Sequence, residues 1–379
     1  MKRVLVVVGT RPEAVKLAPV IRAAAGAADL EFRVMWTGQH AGLVAPHAAA
    51  LGVLPPDGPA QGAESSALRE RVMAALGEHR PDAVLAQGDT GSVVAAAEAS
   101  DEVGVPFAHL EAGLRSGSLE HPWPEESHRV RVAELATLHL APTPRAATNL
   151  YEEGVPRHRV VVTGNTIVDA VHHTLASLPL DASPTDRLRG LETPRTRVLF
   201  THHRRESFPA GATEVIKAVA AFARAAPEVE IVMPAHPNPA LDPLVGPLLA
   251  ARNVRRLPPL DHGELLWLLR RCRFAITDSG GIQEEAPSVG VPVLVTRRTT
   301  ERPEALEHGW AKLVGWQSDQ IERSARRWLY DDAALRRAQP RCNPYGDGHA
   351  APRCVQALRC LLGLSVQAPT AWTGPAIAA

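Results

Sequence analysis

The chain has 379 residues, which exceeds what one small hydrophobic core accommodates and indicates two domains of roughly 150–200 residues each. Its 41 Lys and Arg residues balance 41 Asp and Glu residues, so there is no basic excess to hold nucleic acid or an anionic membrane surface. No apolar run approaches ~18 residues, which argues against a membrane-spanning helix.

The first residues, Met1-Lys2-Arg3, run directly into the apolar strand V-L-V-V-V-G. No small-residue cleavage site follows this strand, so we predict no signal peptide and expect a cytoplasmic protein. The four cysteines form no C-x-x-C pair. That spacing favours reduced thiols over a disulfide framework or a zinc site.

Short apolar runs followed by helical segments recur along the chain. The N-terminal set of predicted strands is Val4–Val8, Phe32–Trp36, Ala83–Ala86, Pro106–Leu110, Leu138–Ala141 and Val160–Val162. The later set is Arg197–Phe200, Ile231–Pro234, Val254–Leu257, Phe274–Ile276 and Pro292–Val295. Val-, Leu- and Ile-rich strands that alternate with amphipathic helices indicate parallel sheets covered on both faces. The sequence therefore predicts an α/β protein with two Rossmann-like doubly wound domains that face each other across a ligand cleft.

The domain boundary is predicted just after the last strand of the first set. We assign residues 1–168 to an N-terminal domain carrying catalytic acids, and residues 169–363 to a C-terminal domain whose last helix packs back on the first domain. Residues 364–379 contain several Ala and Pro residues without periodic pattern, so they are expected to form a flexible tail.

The segment Phe274–Pro287 reads as a buried strand, a tight turn and a helix. Gly280 and Gly281 allow close backbone approach, Ser279 adds a hydroxyl, and the first helical N–H groups offer donors to an anion. A phosphate or diphosphate is the natural guest, and an ordinary capped turn is the alternative. Glu285, one turn further on, is placed to accept hydrogen bonds from a diol such as a ribose.

A second candidate anion site follows the first strand, in Gly9-Thr10-Arg11-Pro12-Glu13. Pro12 is favourable in a first helical turn, so Arg11 and Lys16 are expected near the start of that helix. Two cations beside exposed amides suit an anion. Surface cations without a ligand are the alternative.

Three carboxylates, Asp89, Glu111 and Glu125, are predicted at strand ends or loop edges of the first domain. Crowded carboxylates raise one another's pKa, which suits general acid–base work. Solvated surface carboxylates are the alternative for each residue taken singly. The His109-x-Glu111 spacing has no third ligand beside it, so no metal site is predicted.

Further candidates follow strands of the second domain: His203 and Arg204 after one strand, His236 after the next, and Arg302 within T-T-E-R-P-E. These side chains suit a phosphate or sugar hydroxyls. Solvent-facing basic loops are the alternative.

The chain contains the following motifs in order: G-T-R-P-E-A-V-K-L-A-P-V, T-G-Q-H, Q-G-D-T, H-L-E-A-G-L-R-S-G, P-W-P-E-E, V-T-G-N-T-I-V-D-A, H-R-R-E-S-F, H-P-N-P, T-D-S-G-G-I-Q-E-E-A-P, T-T-E-R-P-E and N-P-Y-G-D-G-H-A. In these motifs, from Arg3 to about Leu362, the chain resembles the bacterial non-hydrolysing UDP-N-acetylglucosamine 2-epimerases.

This resemblance implies a glycosyltransferase-B-like pair of Rossmann domains, a homodimer, and a cleft that takes UDP-N-acetylglucosamine. It implies a reaction that inverts C2 without an added cofactor, by elimination of UDP to 2-acetamidoglucal and re-addition. A role in aminosugar assembly, for cell-surface polysaccharide or antibiotic biosynthesis, is the expected context.

Carried over by position, the resemblance implies a catalytic set and a substrate-binding set. The catalytic set is Asp89, Glu111, Glu125 and His203. The substrate-binding set is Arg11, Lys16, Arg129, Arg204, His236, Ser279, Gly280, Gly281, Glu285 and Arg302.

Two departures from the family pattern fall near the predicted cleft: His128 replaces the usual asparagine and His202 the usual glycine. They either alter the sugar accepted or simply repack. The alternatives for the whole chain are a hydrolysing relative that releases UDP and N-acetylmannosamine, a UDP-sugar glycosyltransferase, and a non-catalytic nucleotide-sugar sensor.

Overall fold

A computed structural model describes residues 1–39, 65–120, 122–179, 185–204, 207–235 and 242–375. The chain forms two compact units. The first contains Met1–Ala170 together with Tyr345–Ala379, and the second contains Val171–Pro344.

The first unit is built on a six-stranded sheet in the order β2-β1-β3-β4-β5-β6, with every neighbouring pair parallel. Its strands are β1 (Lys2–Val8), β2 (Leu30–Trp36), β3 (Ala83–Gln87), β4 (Phe107–Leu110), β5 (Leu138–Ala141) and β6 (Val160–Val162). Its helices are α1 (Arg11–Ala24), α2 (Ser65–His79), α3 (Gly91–Val103), α4 (Glu125–Leu135) and α5 (Pro144–Glu152), followed by α6 (Thr166–Ser177), which continues into the second unit.

The central strand β1 explains why both faces of this sheet are covered. Successive side chains of a strand point to opposite faces. Accordingly, Val4, Val6 and Val8 join one apolar core with residues of α1, while Leu5 and Val7 join another with residues of α2 and α3. A strand buried on both faces reads as a continuous apolar run, which is why V-L-V-V-V is recognisable in the sequence.

The second unit contains an equivalent parallel sheet in the order β12-β11-β10-β7-β8-β9. Its strands are β7 (Arg197–Thr201), β8 (Glu230–Pro234), β9 (Val254–Leu257), β10 (Phe274–Thr277), β11 (Val293–Val295) and β12 (Ala311–Leu313). Its helices are α7 (Ala210–Ala225), α8 (Gly246–Leu249), α9 (His262–Leu269), α10 (Gly280–Glu285), α11 (Glu304–Glu307), α12 (Ser318–Tyr330) and α13 (Asp332–Ala338).

The predicted fold class, α/β with two Rossmann-like doubly wound domains, is confirmed. All eleven predicted strands are present: three have the predicted bounds, and each of the others differs by one or two residues at one end. The edge strand β12 was not predicted, because it is only three residues long and its centre is Lys312. It pairs with β11 alone among the described strands.

The C-terminal part of the chain returns to the first unit. The last helix, α14 (Ala350–Leu361), starts where the Asp169 carboxylate accepts hydrogen bonds from the backbone N–H groups of Ala350 at 3.1 Å and Ala351 at 2.8 Å. Residues 345–363, which the sequence analysis placed in the C-terminal domain, are therefore part of the first unit. Within the expected flexible tail, Trp372 is buried, and its backbone N–H donates to the Val162 carbonyl at 2.9 Å.

Within the described ranges, none of the helices combines the length and apolar character needed to cross a membrane.

Candidate active site

In the first unit, the predicted site residues gather around Glu111, directly after β4. Glu111 has φ of 68°, a left-handed conformation that is uncommon for a residue other than glycine. Its side chain is 7% exposed, and it accepts hydrogen bonds from Lys16 Nζ at 2.5 Å and Asn165 Nδ2 at 3.1 Å, as well as from Gln87 Nε2. Residues held in such backbone conformations cluster at functional sites. The buried charge at Glu111 is thus oriented by three neighbours on different elements.

Lys16 reaches Glu111 because the turn between β1 and α1 is tight. A side chain at Gly9 would place its Cβ 2.0 Å from Ser92 Oγ, so only glycine fits there. The Glu13 carboxylate closes the turn, accepting from the N–H of Gly9 at 2.6 Å and the hydroxyls of Thr10 at 2.9 Å and Thr90 at 2.7 Å. Burial raises the pKa of Glu13 to about 7, although these hydrogen bonds oppose the shift. The Glu13 carboxylate therefore connects two turns. One is the turn before α1, the helix that carries Lys16, and the other is the turn that follows Asp89.

Asp89 lies two residues beyond β3 and forms an ion pair with Arg129 of α4. Arg129 is 2% exposed, and its Nε also donates to the Glu126 carboxylate at 2.9 Å. Glu126 in turn accepts from the backbone N–H of Ser116 at 2.9 Å. The guanidinium is therefore held between two carboxylates, one buried and one partly exposed.

Glu125 is the first residue of α4, and its side chain is half-buried. Its Oε2 atom is buried and has no hydrogen-bond partner among the residues that the structure describes. A buried polar atom without a partner is uncommon in native proteins and frequently marks a catalytic or ligand-binding position. Glu125 Oε2 is one of several buried polar atoms with this property in the described residues.

The sequence predicts Asp89 and Glu111 as crowded carboxylates, and in the structure each of them also contacts an oppositely charged side chain. The structure gives each of them a cation, Arg129 and Lys16 respectively. The site is thus organised as ion pairs.

The His109 imidazole contacts the backbone of the turn after β3. Its Nε2 lies 2.8 Å from the Gly88 carbonyl oxygen, which fixes this nitrogen as the donor, and burial lowers the pKa of His109 to about 4. In the described ranges, no cluster of three metal-ligating side chains is present.

In the second unit, the predicted residues gather around Asp278, at the end of β10. Its Oδ2 accepts from the backbone N–H groups of His203 at 2.8 Å and Arg204 at 2.7 Å. Burial raises the pKa of Asp278, but the facing imidazoles of His203 and His202 and these two N–H donors outweigh burial and hold it below the usual value. The Asp278 carboxylate consequently fixes the loop after β7, which carries His203 and Arg204.

The His203 imidazole lies beside the same carboxylate, with Nδ1 3.4 Å from Asp278 Oδ1. Burial lowers the pKa of His203, and the neighbouring aspartate offsets only part of that effect. We therefore describe His203 as a neutral imidazole oriented by Asp278.

The glycine turn after β10 has the predicted strand–turn–helix form. Ser279 caps α10 by accepting from the Ile282 N–H at 3.5 Å. A Cβ at Gly280 would lie 2.8 Å from Arg302 Cζ, whereas a Cβ at Gly281 would meet nothing closer than Glu285 Oε1 at 3.5 Å. Gly280 is therefore required by the arginine that packs over it.

Arg302 is held in place by two buried carboxylates, with its Nε 2.5 Å from Glu284 Oε1 and an ion pair to Glu301. Glu301 Oε1 also lies 3.8 Å from Arg204. The shared carboxylate brings Arg204 and Arg302 into one cluster.

Glu285 occupies the end of α10 and is 7% exposed. Its Oε1 lies 3.7 Å from Nε2 of His262, the first residue of α9. Helix α9 has its own capping box, in which the Asp261 side chain accepts from the Glu264 N–H at 2.8 Å. Glu285 at the end of α10 therefore lies close to the start of α9.

The two departures from the family pattern are both integrated by hydrogen bonds. His128 Nδ1 lies 2.8 Å from the Asp89 carbonyl oxygen. His202 is buried, with Nε2 2.9 Å from Ser207 Oγ and Nδ1 3.3 Å from Thr296 Oγ1. Both histidines make well-formed local contacts.

The structure thus forms two groups of predicted residues, one in each unit. The first contains Lys16, Asp89, Glu111, Glu125 and Arg129. The second contains His203, Arg204, Ser279, Gly280, Gly281, Glu285 and Arg302. Arg11 is the half-buried first residue of α1, and His236 lies outside the described residues.

Sequence reasoning missed the residues that orient these groups, namely Glu13, Gln87, Glu126, Asn165 and Asp278. Each lies inside or beside a recognised motif, such as Q-G-D-T or T-G-N-T. Their positions in or beside these motifs were the signal in the sequence that could have identified them. Their partners are distant in sequence, so their roles follow only from the structure.

Comparison with known proteins identifies the family. The family model for UDP-N-acetylglucosamine 2-epimerase matches residues 22–359. The UDP-N-acetylglucosamine 2-epimerase of Yersinia pestis is 40% identical over 370 residues, which cover 94% of this chain and 98% of that protein.

Solved structures also resemble this chain over nearly its whole length. The Staphylococcus aureus MnaA–UDP co-structure has a TM-score of 0.91 and 33% identity, covering 98% of this chain and 100% of that one. The UDP-GlcNAc 2-epimerase from Neisseria meningitidis, bound to UDP-GlcNAc, has a TM-score of 0.88 and 34% identity, with coverage of 94% and 99%.

Two six-stranded parallel sheets with polar side chains after the strand ends define a protein with paired Rossmann-like domains. Within that class, the chain belongs to the UDP-N-acetylglucosamine 2-epimerase family. The resemblance found in the sequence is confirmed at the level of this family.

Proposed function

We propose that the protein is a non-hydrolysing UDP-N-acetylglucosamine 2-epimerase, which interconverts UDP-N-acetylglucosamine and UDP-N-acetylmannosamine. The observation that carries this proposal is the buried ion pair between Lys16 and Glu111 beside the Asp89–Arg129 pair, in a chain that belongs to this family. The two carboxylates follow the neighbouring strands β3 and β4, and each is paired with a cation from a helix.

The proposed reaction has two halves. In the first, a carboxylate removes the C2 proton, and the electron pair of the C2–H bond forms the C1=C2 double bond. The C1–O bond breaks at the same time, and its electron pair leaves with UDP. In the second, the UDP oxygen re-adds to C1 of the 2-acetamidoglucal, and a proton is delivered to the other face of C2. The net reaction is an isomerisation, so it requires neither an oxidant nor a reductant.

The first unit supplies acid–base groups for this chemistry. A C2 proton is weakly acidic, so its removal needs a placed base, and proton transfer by a positioned side chain contributes about 10²–10⁴-fold to rate. We assign this work to Asp89, Glu111 and Glu125. Lys16 and Arg129 hold two of these carboxylates in fixed orientations.

The second unit supplies groups for the nucleotide. The guanidinium groups of Arg204 and Arg302, the Ser279 hydroxyl and the Gly280–Gly281 backbone are proposed to bind the diphosphate, whose negative charge grows as the C1–O bond breaks. Glu285 is proposed to hold the ribose. His203 is proposed as a neutral hydrogen-bonding group at the reacting sugar, because burial lowers its pKa.

Three further assignments belong to this proposal and rest on the resemblance to bacterial members of the family. Arg11 and His236 are proposed as substrate-binding residues. The active form is proposed to be a homodimer.

Incubation with UDP-N-acetylglucosamine alone, followed by chromatographic separation of products, tests the proposal. We expect UDP-N-acetylmannosamine to appear without free UDP. If free N-acetylmannosamine accumulates in step with UDP, the enzyme is the hydrolysing kind. A glycosyltransferase that requires an acceptor would leave the substrate unchanged.

A further inference from the structure

The second unit contains a cavity of about 390 Å³ beside its edge strand β12. The lining comes from the segment 308–312, which leads into β12, and from helices α12 and α13. Strand β11 separates β12 from β10, so β12 lies roughly 10 Å across the sheet from the strand that precedes Asp278. None of the predicted substrate-binding residues lines this cavity.

The two helices contribute to the cavity with the same spacing of residues. Their lining residues follow the pattern i, i+3, i+4: Ser324, Arg327 and Trp328 on α12, and Ala334, Arg337 and Ala338 on α13. Residues with this spacing share one face of a helix. Both arginines are exposed, whereas Trp328 and the two alanines are buried. Each helix therefore offers an apolar surface and one guanidinium group.

Lys312 adds a third cation, from the centre of β12. Its Nζ donates to the Ser324 hydroxyl at 2.9 Å. Burial lowers the pKa of Lys312, and the positive charges of Arg327 and Arg323 lower it further. A lysine on an edge strand also prevents pairing with another chain. That role does not account for the two arginines, because they come from helices.

These three cations are not balanced by carboxylates. In the part of the chain that the structure describes, Lys312, Arg327 and Arg337 form no ion pair, and no acidic residue lines the cavity. Glu307 precedes the lining segment but is exposed and lies outside the lining. The cavity therefore has a positive potential that attracts anions.

The acidic residues of the two helices have other partners. The ion pairs are Asp319 with Arg323 at 2.7 Å, Glu322 with Arg326 at 3.5 Å, and Asp332 with Arg273. Asp331, between the helices, caps α13 by accepting from the Ala334 N–H at 2.9 Å. These carboxylates are thus engaged away from the three cations.

We infer that this cavity binds a small phosphomonoester with an apolar body. A phosphate dianion presents acceptors to Lys312, Arg327 and Arg337 together, and a guanidinium fork matches phosphate oxygens in a bidentate manner. The apolar body packs against Trp328 and the neighbouring alanines, since small-molecule sites combine apolar walls with a few polar groups. A volume of about 390 Å³ is at the lower end of the range for such sites, so the ligand is small.

The test is isothermal titration of the full chain with phenyl phosphate at about pH 8, where a phosphomonoester is a dianion. Sodium chloride keeps the ionic strength constant. We expect saturable binding that is about tenfold weaker in an Arg337→Glu protein, and in an Arg327→Glu protein, because each loses one charge-assisted contact.

Arg336→Glu is the matched control. Arg336 is an exposed arginine of the same helix, next to Arg337, but it does not line the cavity. The charge change is identical, so a general effect of protein charge would weaken binding in both proteins. We expect the Arg336→Glu protein to bind phenyl phosphate like the unmodified protein. Equal binding by the Arg336→Glu and Arg337→Glu proteins would overturn the inference.

A second titration with inorganic phosphate tests the apolar part of the site. We expect phosphate to bind about tenfold more weakly than phenyl phosphate, because it lacks the ring that packs against Trp328. Equal affinity for the two ligands would contradict the apolar contact. Absence of saturable phenyl phosphate binding in the millimolar range would overturn the whole inference.

The Arg204→Ala protein separates this cavity from the proposed nucleotide site. It should bind phenyl phosphate like the unmodified protein. Loss of binding in the Arg204→Ala protein, with normal binding by the Arg337→Glu protein, would assign the ligand to the nucleotide site and overturn the inference. The titrations contain no UDP-sugar, so their outcome is independent of the epimerase assay.

Discussion

The two units have the same sheet but use its C-terminal edge differently. In the first, Glu111 and Asp89 are held by the cations Lys16 and Arg129, through side-chain ion pairs. In the second, Asp278 is held by two backbone N–H groups and thereby fixes a loop. The first edge therefore presents oriented carboxylates, while the second presents oriented loops that carry cations and glycines.

This difference suits two different tasks. Carboxylates fixed by cations are suited to moving protons on a sugar ring. A glycine turn and fixed arginines are suited to binding a diphosphate, whose negative charge grows as it leaves the sugar. Variants of equivalent residues in the two units should therefore affect different kinetic constants.

The largest effect is expected from Glu111→Gln. This change removes a proposed acid–base group and leaves the buried Lys16 without its carboxylate partner. We expect turnover to fall by about 10²–10⁴-fold and the free energy of unfolding to decrease by about 3–5 kcal/mol. Steady-state kinetics and urea unfolding measure the two quantities.

Glu153→Gln is the control for Glu111→Gln. Glu153 forms a more exposed ion pair with Arg115, which should contribute less than about 1 kcal/mol. Near-normal turnover in a folded Glu111→Gln protein would contradict the acid–base assignment in the first unit.

An intermediate effect is expected from Gly280→Ala in the second unit. The added Cβ would lie 2.8 Å from Arg302 Cζ and displace that guanidinium. Overpacking of this kind costs about 1–3 kcal/mol, so we expect the KM for UDP-N-acetylglucosamine to rise by roughly tenfold. Turnover at saturation should change less than KM.

Gly281→Ala provides the matched comparison, because its Cβ would make only ordinary contact with Glu285 at 3.5 Å. Its KM should stay within about twofold of the unmodified value. Equal KM values for the two alanine variants would show that Arg302 does not need its observed position.

The smallest effect concerns acid stability of the first unit. His109 and His139 are buried register partners on β4 and β5, and burial lowers their pKa values to about 4 and about 3. Between pH 6.5 and pH 4 the unfolded chain binds protons that the folded chain does not, so stability falls on acidification. Glu13 opposes this trend, because its raised pKa of about 7 favours folding as the pH falls from 7 to 4.5.

His139→Phe removes one of the two histidines and should make stability less dependent on pH. We expect the loss of unfolding free energy between pH 6.5 and pH 5.5 to shrink by about 1 kcal/mol. Urea unfolding at the two pH values measures it. The same pH dependence in both proteins would show that His139 titrates normally in the folded state.

The fold was predictable because buried parallel strands are continuous apolar runs, as β1 and β10 show. The short strand β12 escaped because a three-residue segment centred on Lys312 resembles a loop. The return of α14 to the first unit depends on Asp169 meeting Ala350 and Ala351, which lie more than 180 residues away in sequence. No local sequence pattern predicts a contact between residues so far apart in the chain.

For the candidate site, sequence reasoning found charged residues after strands but not the groups that orient them. Asp278 illustrates the limit. Its sequence position indicates a turn, whereas its hydrogen bonds to the loop after β7 depend on the pairing of β7 with β10. The same holds for Asn165, which meets Glu111 only because the strand ends converge at one edge of the sheet.

Solvent exchange at C2 tests the central claim most directly. The protein is incubated with UDP-N-acetylglucosamine in D₂O, and the recovered UDP-sugars are analysed by NMR and mass spectrometry. Removal and return of the C2 proton predict deuterium at C2 in UDP-N-acetylmannosamine and progressively in the recovered substrate. UDP-N-acetylmannosamine that forms without deuterium at C2, or unlabelled substrate that is never epimerised, would contradict this account.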